Sequence, residues 1–105
     1  MTTYQCICGS NLAEILTPET QVVDIRDPNS FGMGRISGAK LLNNENLEQV
    51  LAELDMEQPV YVCCYHGNSS KSAAQFLVDR GFEQSFSIDG GFEEWRGQFP
   101  QLVEQ

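Results

Sequence analysis

Long apolar stretches are missing from this chain of 105 residues, and no run approaches the ~20 residues that a membrane span requires. The stretch Met1 to Gly9 has no basic segment leading into a long apolar one, so no secretory leader is expected and the cytoplasm is the expected location. Basic residues are also scarce. Six Lys and Arg against fifteen Asp and Glu leave a formal net charge of -9, which argues against nucleic acid and against an anionic membrane as partners. That imbalance sets a condition for any anionic substrate, which must find a local positive field inside a globally negative particle.

Cysteine pairs of the C-x-x-C kind are absent as well. The four cysteines stand as C-x-C, Cys6 and Cys8, and as the adjacent pair Cys63 and Cys64, so neither a structural zinc site nor a dithiol redox pair is expected. Adjacent cysteines bridge each other only with strain, and reduced thiols are expected in the cytoplasm. No metal is assigned to these cysteines with the single histidine, His66. Repeats, linkers and low-complexity segments are lacking too, and 41% hydrophobic residues suffice for one core, so a single domain over 1–105 is expected.

What is present is a pattern whose apolar period alternates between strand and helix, which predicts an α/β domain. Gln21 to Ile25 reads as a β-branched strand. Asp27-Pro28 then supplies a helix cap with proline at the first helical position, for a brief helix through Phe31. Ser37-Gly38-Ala39 reads as a turn before a short strand at Lys40-Leu41-Leu42. Asn44 is placed to cap the next helix, whose stripe Leu47, Val50, Leu51 and Leu54 falls at i, i+3, i+4 and i+7 and belongs to the core. Pro59 to Cys64 is a continuous apolar run, as expected of a central strand covered on both faces. Ser72 to Arg80 reads as a helix ended by Gly81; a strand at Phe86-Ser87-Ile88, a turn at Asp89-Gly90-Gly91 and a last helix from Phe92 to Phe99 complete the pattern.

Chemistry is expected where the central strand ends, because ligands of open α/β sheets bind beyond the carboxyl ends of strands. Cys64 occupies that place, followed by the polar loop Tyr65, His66, Gly67, Asn68, Ser69, Ser70 and Lys71. Small residues let the backbone curl so that successive N–H groups converge at the amino end of a helix and form an anion nest around the Cys64 sulfur. Such a nest raises the thiolate fraction of a thiol and makes Cys64 a candidate nucleophile. Cys63 points to the opposite face of the strand and reads as core. Cys6 and Cys8 likewise read as small buried hydrophobes. His66 is a candidate general acid or base, although residues so near on a tight loop seldom face each other. Lys71 reads equally as a steering cation or as a solvated lysine at a helix start. Asp24 and Arg26 border the same crevice and read as an ion pair, and Trp95 and Phe92 read as core anchors of the last helix.

The run Cys64-Tyr65-His66-Gly67-Asn68-Ser69-Ser70-Lys71 resembles the active-site loop of single-domain rhodaneses. Val23-Asp24-Ile25-Arg26-Asp27-Pro28 with Phe31, Gly34, Ile36, Gly38 and Ala39 resembles the family's amino-terminal signature, and Ser87 to Trp95 its carboxyl-terminal one. The three signatures stand in the family's order and together cover about 21–100. Arg35 departs from the pattern, standing where the family commonly has histidine. The resemblance implies a central parallel five-stranded sheet flanked by helices on both faces. It also implies a thiosulfate:cyanide sulfurtransferase that works without a cofactor through a Cys64 persulfide and releases sulfite. Tyr65 through Ser70 would bind the substrate through their amides, with the Ser69 and Ser70 hydroxyls and Lys71 as further candidates. Cyanide or a small dithiol would accept the sulfur, and a reduced thioredoxin is a family-level acceptor. Cysteine phosphatases place their nucleophile on a similar Cys-x5-Arg loop, but Ser70 stands at the arginine position here and Lys71 offers no planar fork. A catalytically silent binding module of the same fold usually lacks the cysteine, which this chain keeps.

Overall fold

The computed structural model describes residues 3–105; Met1 and Thr2, where the reading for a leader begins, lie outside them. In chain order the elements are β1 (Gln5–Ile7), α1 (Gly9–Ile15), β2 (Gln21–Asp24), α2 (Pro28–Met33), β3 (Arg35–Ile36), β4 (Lys40–Leu41), α3 (Leu47–Glu53), β5 (Val60–Cys63), α4 (Ser69–Asp79), β6 (Ser85–Ile88) and α5 (Gly91–Gln98). A 3-10 turn at Pro100–Leu102 then leads into β7 (Val103–Glu104). The main sheet has five strands in the order β1-β6-β5-β2-β4, all paired in parallel. β3 and β7 form a separate antiparallel ribbon.

β5 is buried at all four positions because it lies between β2 and β6 with a core on each face. Tyr61 and Cys63 enter one cluster with Leu12, Phe92 and Trp95 from α1 and α5. Val60 and Val62 enter the other with Val50, Leu51, Ala74 and Leu77 from α3 and α4. Strand alternation thus sends successive side chains of β5 to different helix layers, and Leu47, Val50, Leu51 and Leu54 of the α3 stripe all join the second layer.

Local signals set several element ends. The Asp27 carboxylate accepts the Ser30 N–H at 2.9 Å and caps α2, with Pro28 at its first position, and the helix runs on to Met33 rather than stopping at Phe31. Gly81 ends α4 with φ of +115° and donates its N–H to the Val78 carbonyl, as a left-handed position after a helix requires. Asn44 does not cap α3. Asn46 occupies the cap position, and its side chain is engaged with the preceding turn: Oδ1 accepts the Asn43 N–H and Nδ2 donates to the Leu41 carbonyl, both at 2.8 Å. α4 begins at Ser69, three residues before the expected Ser72; its first turn buries only a serine, Ser70, so the apolar period there is silent. Cys6 and Cys8 are not core. Both are exposed, one on the edge strand β1 and the other capping α1, where the apolar layers do not reach.

The end of β2 is fixed by an ion pair inside the fold. Asp24 is fully buried and Arg26 is 5% exposed. The carboxylate accepts from Nη2 at 2.7 Å, from Nε at 3.0 Å and from the Arg26 amide at 2.9 Å, while Nη2 also donates to the Gly34 carbonyl at 2.7 Å. Removing one partner leaves a buried charge uncompensated. Arg26→Met is therefore expected to lower unfolding free energy by about 3–5 kcal/mol in urea denaturation, whereas Arg96→Met, which breaks an exposed pair with Glu93, is expected to cost less than about 1 kcal/mol.

Candidate functional site

Cys64 follows the last residue of β5, and the chain there curls back on its own side chain. Its Sγ accepts the Gly67 N–H at 3.1 Å and the Ser70 N–H at 3.3 Å. The Ser70 Oγ lies 3.3 Å from the same sulfur, and the Ser87 Oγ, on β6, lies 2.7 Å from the Ser70 Oγ. Cys64 is 3% exposed, and Ser70 and Ser87 are fully buried.

The curl depends on glycine at two positions. Gly67 has φ of +92°, and a Cβ there would lie 2.9 Å from the Gly90 nitrogen. Gly91 has φ of +60°, and a Cβ there would lie 2.5 Å from the Tyr65 carbonyl, a distance no side chain tolerates. The close approach allows the first amides of α5 to reach the loop: Phe92 N–H donates to the Cys64 carbonyl at 2.8 Å and Glu93 N–H to the Tyr65 carbonyl at 3.1 Å. The surplus donors of one helix start thus hold the carbonyl side of the loop, while those of α4 face the sulfur.

Electrostatics separate the two adjacent cysteines. Burial pushes the Cys64 thiol up, but the Ser70 hydroxyl and the amides of Ser70, Gly67 and His66 outweigh it and leave the group below the ordinary thiol value. Hydrogen bonds to the charged form have this effect on any acid. Cys63 lacks such donors. Its thiol is pushed far up by burial first and by the charge of Asp24 next, and its Sγ donates to the Cys64 carbonyl at 3.5 Å.

The remaining loop residues divide. Of the six amides expected to converge, those of Gly67 and Ser70 reach the sulfur within hydrogen-bonding distance. His66, Asn68, Ser69 and Lys71 are exposed. The Lys71 amide donates back to the Asn68 carbonyl at 3.2 Å. Tyr65 turns away from the sulfur: its hydroxyl donates to the Asp27 carboxylate and lies 3.1 Å from the Ser30 Oγ. Those contacts, that of Tyr65 foremost, hold the Asp27 carboxyl at about 2. Arg35, at the departing position, is structural: it donates to the Phe31 carbonyl at 3.3 Å, covers the Phe31 ring at 4.8 Å and approaches Glu104 to 3.7 Å. Among the described residues no group of three His, Cys, Asp or Glu could hold a metal ion.

Two contributors escaped the sequence reading. The sequence places Ser87 in a strand and in the carboxyl-terminal resemblance but assigns it no contact with the loop, and no local signal separates it from Ser85, whose hydroxyl has no partner. Phe92 was read as core; its amide holds the loop, and its ring carries the Arg26 guanidinium at 4.1 Å. Beside the loop lies a cavity of about 720 Å³ walled by Arg26, Met33, Tyr65, Phe92 and Arg96 among others.

A rhodanese-like domain model matches residues 10–98. The chain is 44% identical over its full length to the thiosulfate sulfurtransferase GlpE of Ectopseudomonas mendocina, covering 96% of that protein. It is 44% identical to the GlpE of Pseudomonas aeruginosa over 98 residues, 93% of this chain and 89% of that one. A solved rhodanese-related protein from Thermoplasma volcanium superposes with a TM-score of 0.76 at 26% identity, with 91% and 94% of the two chains covered.

The pull of the cage on Cys64 can be measured without any substrate. Alkylation by iodoacetamide, mapped by peptide mass to separate Cys64 from the exposed Cys6 and Cys8, is expected to titrate below the ordinary thiol value of ~8.5, with Cys63 unmodified while the chain is folded. Because the folded value is depressed, ionised Cys64 adds stability that is complete above the unfolded thiol's pKa and is lost as pH falls through the folded one. Gly67→Ala is expected to move the alkylation midpoint up toward ~8.5; an unmoved midpoint would show that the cage does not set the ionisation.

Proposed function

The chain belongs to the rhodanese-like family, and on that premise we propose that it is a thiosulfate sulfurtransferase whose Cys64 carries the sulfur as a persulfide. The observation that supports this most directly is the Cys64 sulfur at the end of the central strand, with two amides and a hydroxyl directed at it. A buried thiol surrounded by donors and held below its ordinary pKa is a poor packing element and a good nucleophile.

In the first half-reaction the Cys64 thiolate attacks the outer sulfur of thiosulfate. A bond forms between Sγ and that sulfur, the sulfur–sulfur bond of thiosulfate breaks, and its electron pair leaves with sulfite. The persulfide keeps one negative charge on its terminal sulfur. In the second, a nucleophilic acceptor bonds to the terminal sulfur, and the bond to Sγ breaks with its pair returning to Cys64. Cyanide leaves as thiocyanate; a thiolate acceptor leaves as its own persulfide. Charge is conserved in both steps, and neither calls for a cofactor. The amides of the loop act as fixed dipoles on whichever sulfur carries the charge.

Small acceptors suit the surroundings. The cavity beside Tyr65 and Phe92 has the volume of sites that take small organic molecules, so a small dithiol fits as readily as cyanide, and a reduced thioredoxin is the macromolecular acceptor in this reading. The four cysteines are free thiols, as suits the cytoplasm, where this reading places the protein; no helix among the described residues is long and apolar enough to cross a membrane.

Intact-protein mass after incubation with thiosulfate provides the test. Wild type and Cys63→Ser are expected to gain one sulfur atom and to lose it on adding cyanide, with thiocyanate released, while Cys64→Ser gains none. A gain by Cys64→Ser, or none by wild type, removes Cys64 from the role.

A further inference from the structure

We propose that Ser87, on the strand beside the one that carries Cys64, is a positioning residue for sulfur transfer, its hydroxyl orienting and polarising the Ser70 hydroxyl that faces the sulfur. The inference rests on the reading of Cys64 as the sulfur carrier and assigns a role to a group outside the loop. The Ser87 Oγ lies 2.7 Å from the Ser70 Oγ, which lies 3.3 Å from the Cys64 sulfur. All three side chains are buried, and among the described residues the Ser87 hydroxyl has no hydrogen-bond partner other than Ser70.

Ionisation gives the chain a direction. While Cys64 is a thiol, its S–H donates to the Ser70 Oγ. The thiolate has no hydrogen and only accepts, so the single hydroxyl hydrogen of Ser70 must turn to the sulfur. The Ser70 Oγ is then left as an acceptor, and the group placed to donate to it is Ser87. The order Ser87 to Ser70 to Cys64 is thus the arrangement of the charged form, and a donor that itself receives a hydrogen bond donates more strongly. The far end is sealed by burial, so the pair does not conduct a proton to solvent.

Packing alone does not account for the pair. β6 carries a second buried serine on the same face, Ser85, two residues earlier, and the Ser85 hydroxyl finds no partner. The strand therefore accommodates a buried serine without coupling it to anything, and what sets Ser87 apart is that it stands opposite Ser70.

The sulfur of Cys64 plays opposite parts in the two half-reactions, and this makes the role testable. In loading it is the nucleophile; in discharge it is the leaving group, as the acceptor bonds to the terminal sulfur and the electron pair of the breaking bond returns to Sγ. A lower thiol pKa speeds departure and, once the thiol is fully ionised, slightly slows attack. Loss of the Ser87 hydroxyl therefore affects the steps unequally, whereas a damaged loop slows both.

The measurements are single-turnover loading with thiosulfate, single-turnover discharge with cyanide, and the pH midpoint of Cys64 alkylation, on wild type, Ser87→Ala, Ser87→Thr and Ser85→Ala. Ser87→Ala is expected to raise the alkylation midpoint by roughly half to one pH unit, the scale of one lost hydrogen bond between neutral groups. Discharge is expected to slow about three- to tenfold, with loading at high pH at or slightly above wild type. Ser87→Thr, which keeps the hydroxyl, returns midpoint and discharge toward wild type, and Ser85→Ala matches wild type in all three. The proposal is overturned if the midpoint and discharge of Ser87→Ala equal wild type, if loading and discharge fall together with an unmoved midpoint, or if Ser85→Ala reproduces the effect. Failure of wild type to load sulfur sinks the underlying reading instead, and the alkylation midpoint still decides whether Ser87 acts on Cys64.

Discussion

The fold of the site depends on two hydrogen bonds that do not touch the sulfur, those from the first amides of α5 to the carbonyls of Cys64 and Tyr65. A backbone that turns its N–H groups inward around a sulfur turns carbonyls outward, and buried carbonyls need donors. The start of a helix has donors to spare, and α5 brings them within 3.1 Å because neither Gly67 nor Gly91 has a side chain in the way. The anion cage is therefore the joint product of two helix starts, one directed at the sulfur and the other at the back of the loop. A methyl group at either glycine would push the two apart.

Phe92 is where this support meets the second one. Its amide holds the Cys64 carbonyl at 2.8 Å, and its ring carries the Arg26 guanidinium at 4.1 Å. Arg26 is in turn fixed by the buried carboxylate of Asp24 at the end of β2. The ends of β2 and β5 are thus tied to the same residue of α5, one through an ion pair and an aromatic face, the other through the backbone. Asp24 also acts on the chemistry: its charge helps to push the Cys63 thiol up, which widens the contrast between that thiol and the adjacent Cys64. One of two neighbouring cysteines is kept neutral by the same scaffold that helps the other to ionise.

The parts legible in the sequence were those in which one residue answers to one local rule. The continuous apolar run to Cys64 marks β5 as central, Asp27-Pro28 starts α2, the leucine and valine stripe marks α3, and Gly81 ends α4. From these alone the strand end at Cys64 and the separation of Cys63 by alternation follow. The parts not legible depend on partners far along the chain. β1 sits at a sheet edge with mostly exposed residues, so it has no apolar pattern. β3 and β7 are two residues each and exist through their mutual pairing. The first turn of α4 is written in polar residues, of which Ser70 serves the sulfur and the others face solvent, so none of them marks the core. Ser87 is neutral, small and unremarkable until β6 is laid beside β5. The loop itself was readable as a nest, but which of its amides reach the sulfur is a matter of angles that residue types do not record.

Two of those amides and one hydroxyl make a cage with no net charge, and this matters in a chain that carries -9. In the proposed reaction the Cys64 thiolate and the persulfide terminal sulfur each bear one negative charge, so a cage of dipoles serves both without changing its own protonation. A cation in the Ser70 position would bind the thiosulfate dianion more strongly, but it would hold sulfite as well. The acidic surroundings then work in the direction of turnover: they repel the departing anion, and local dipoles rather than a fixed charge offset the same repulsion during attack. Arg26 and Arg96 line the neighbouring cavity, yet each is already paired with a carboxylate. The donors that reach the sulfur are the Gly67 and Ser70 amides and the Ser70 hydroxyl, a field of dipoles that is short in range and strongest where the bond is made.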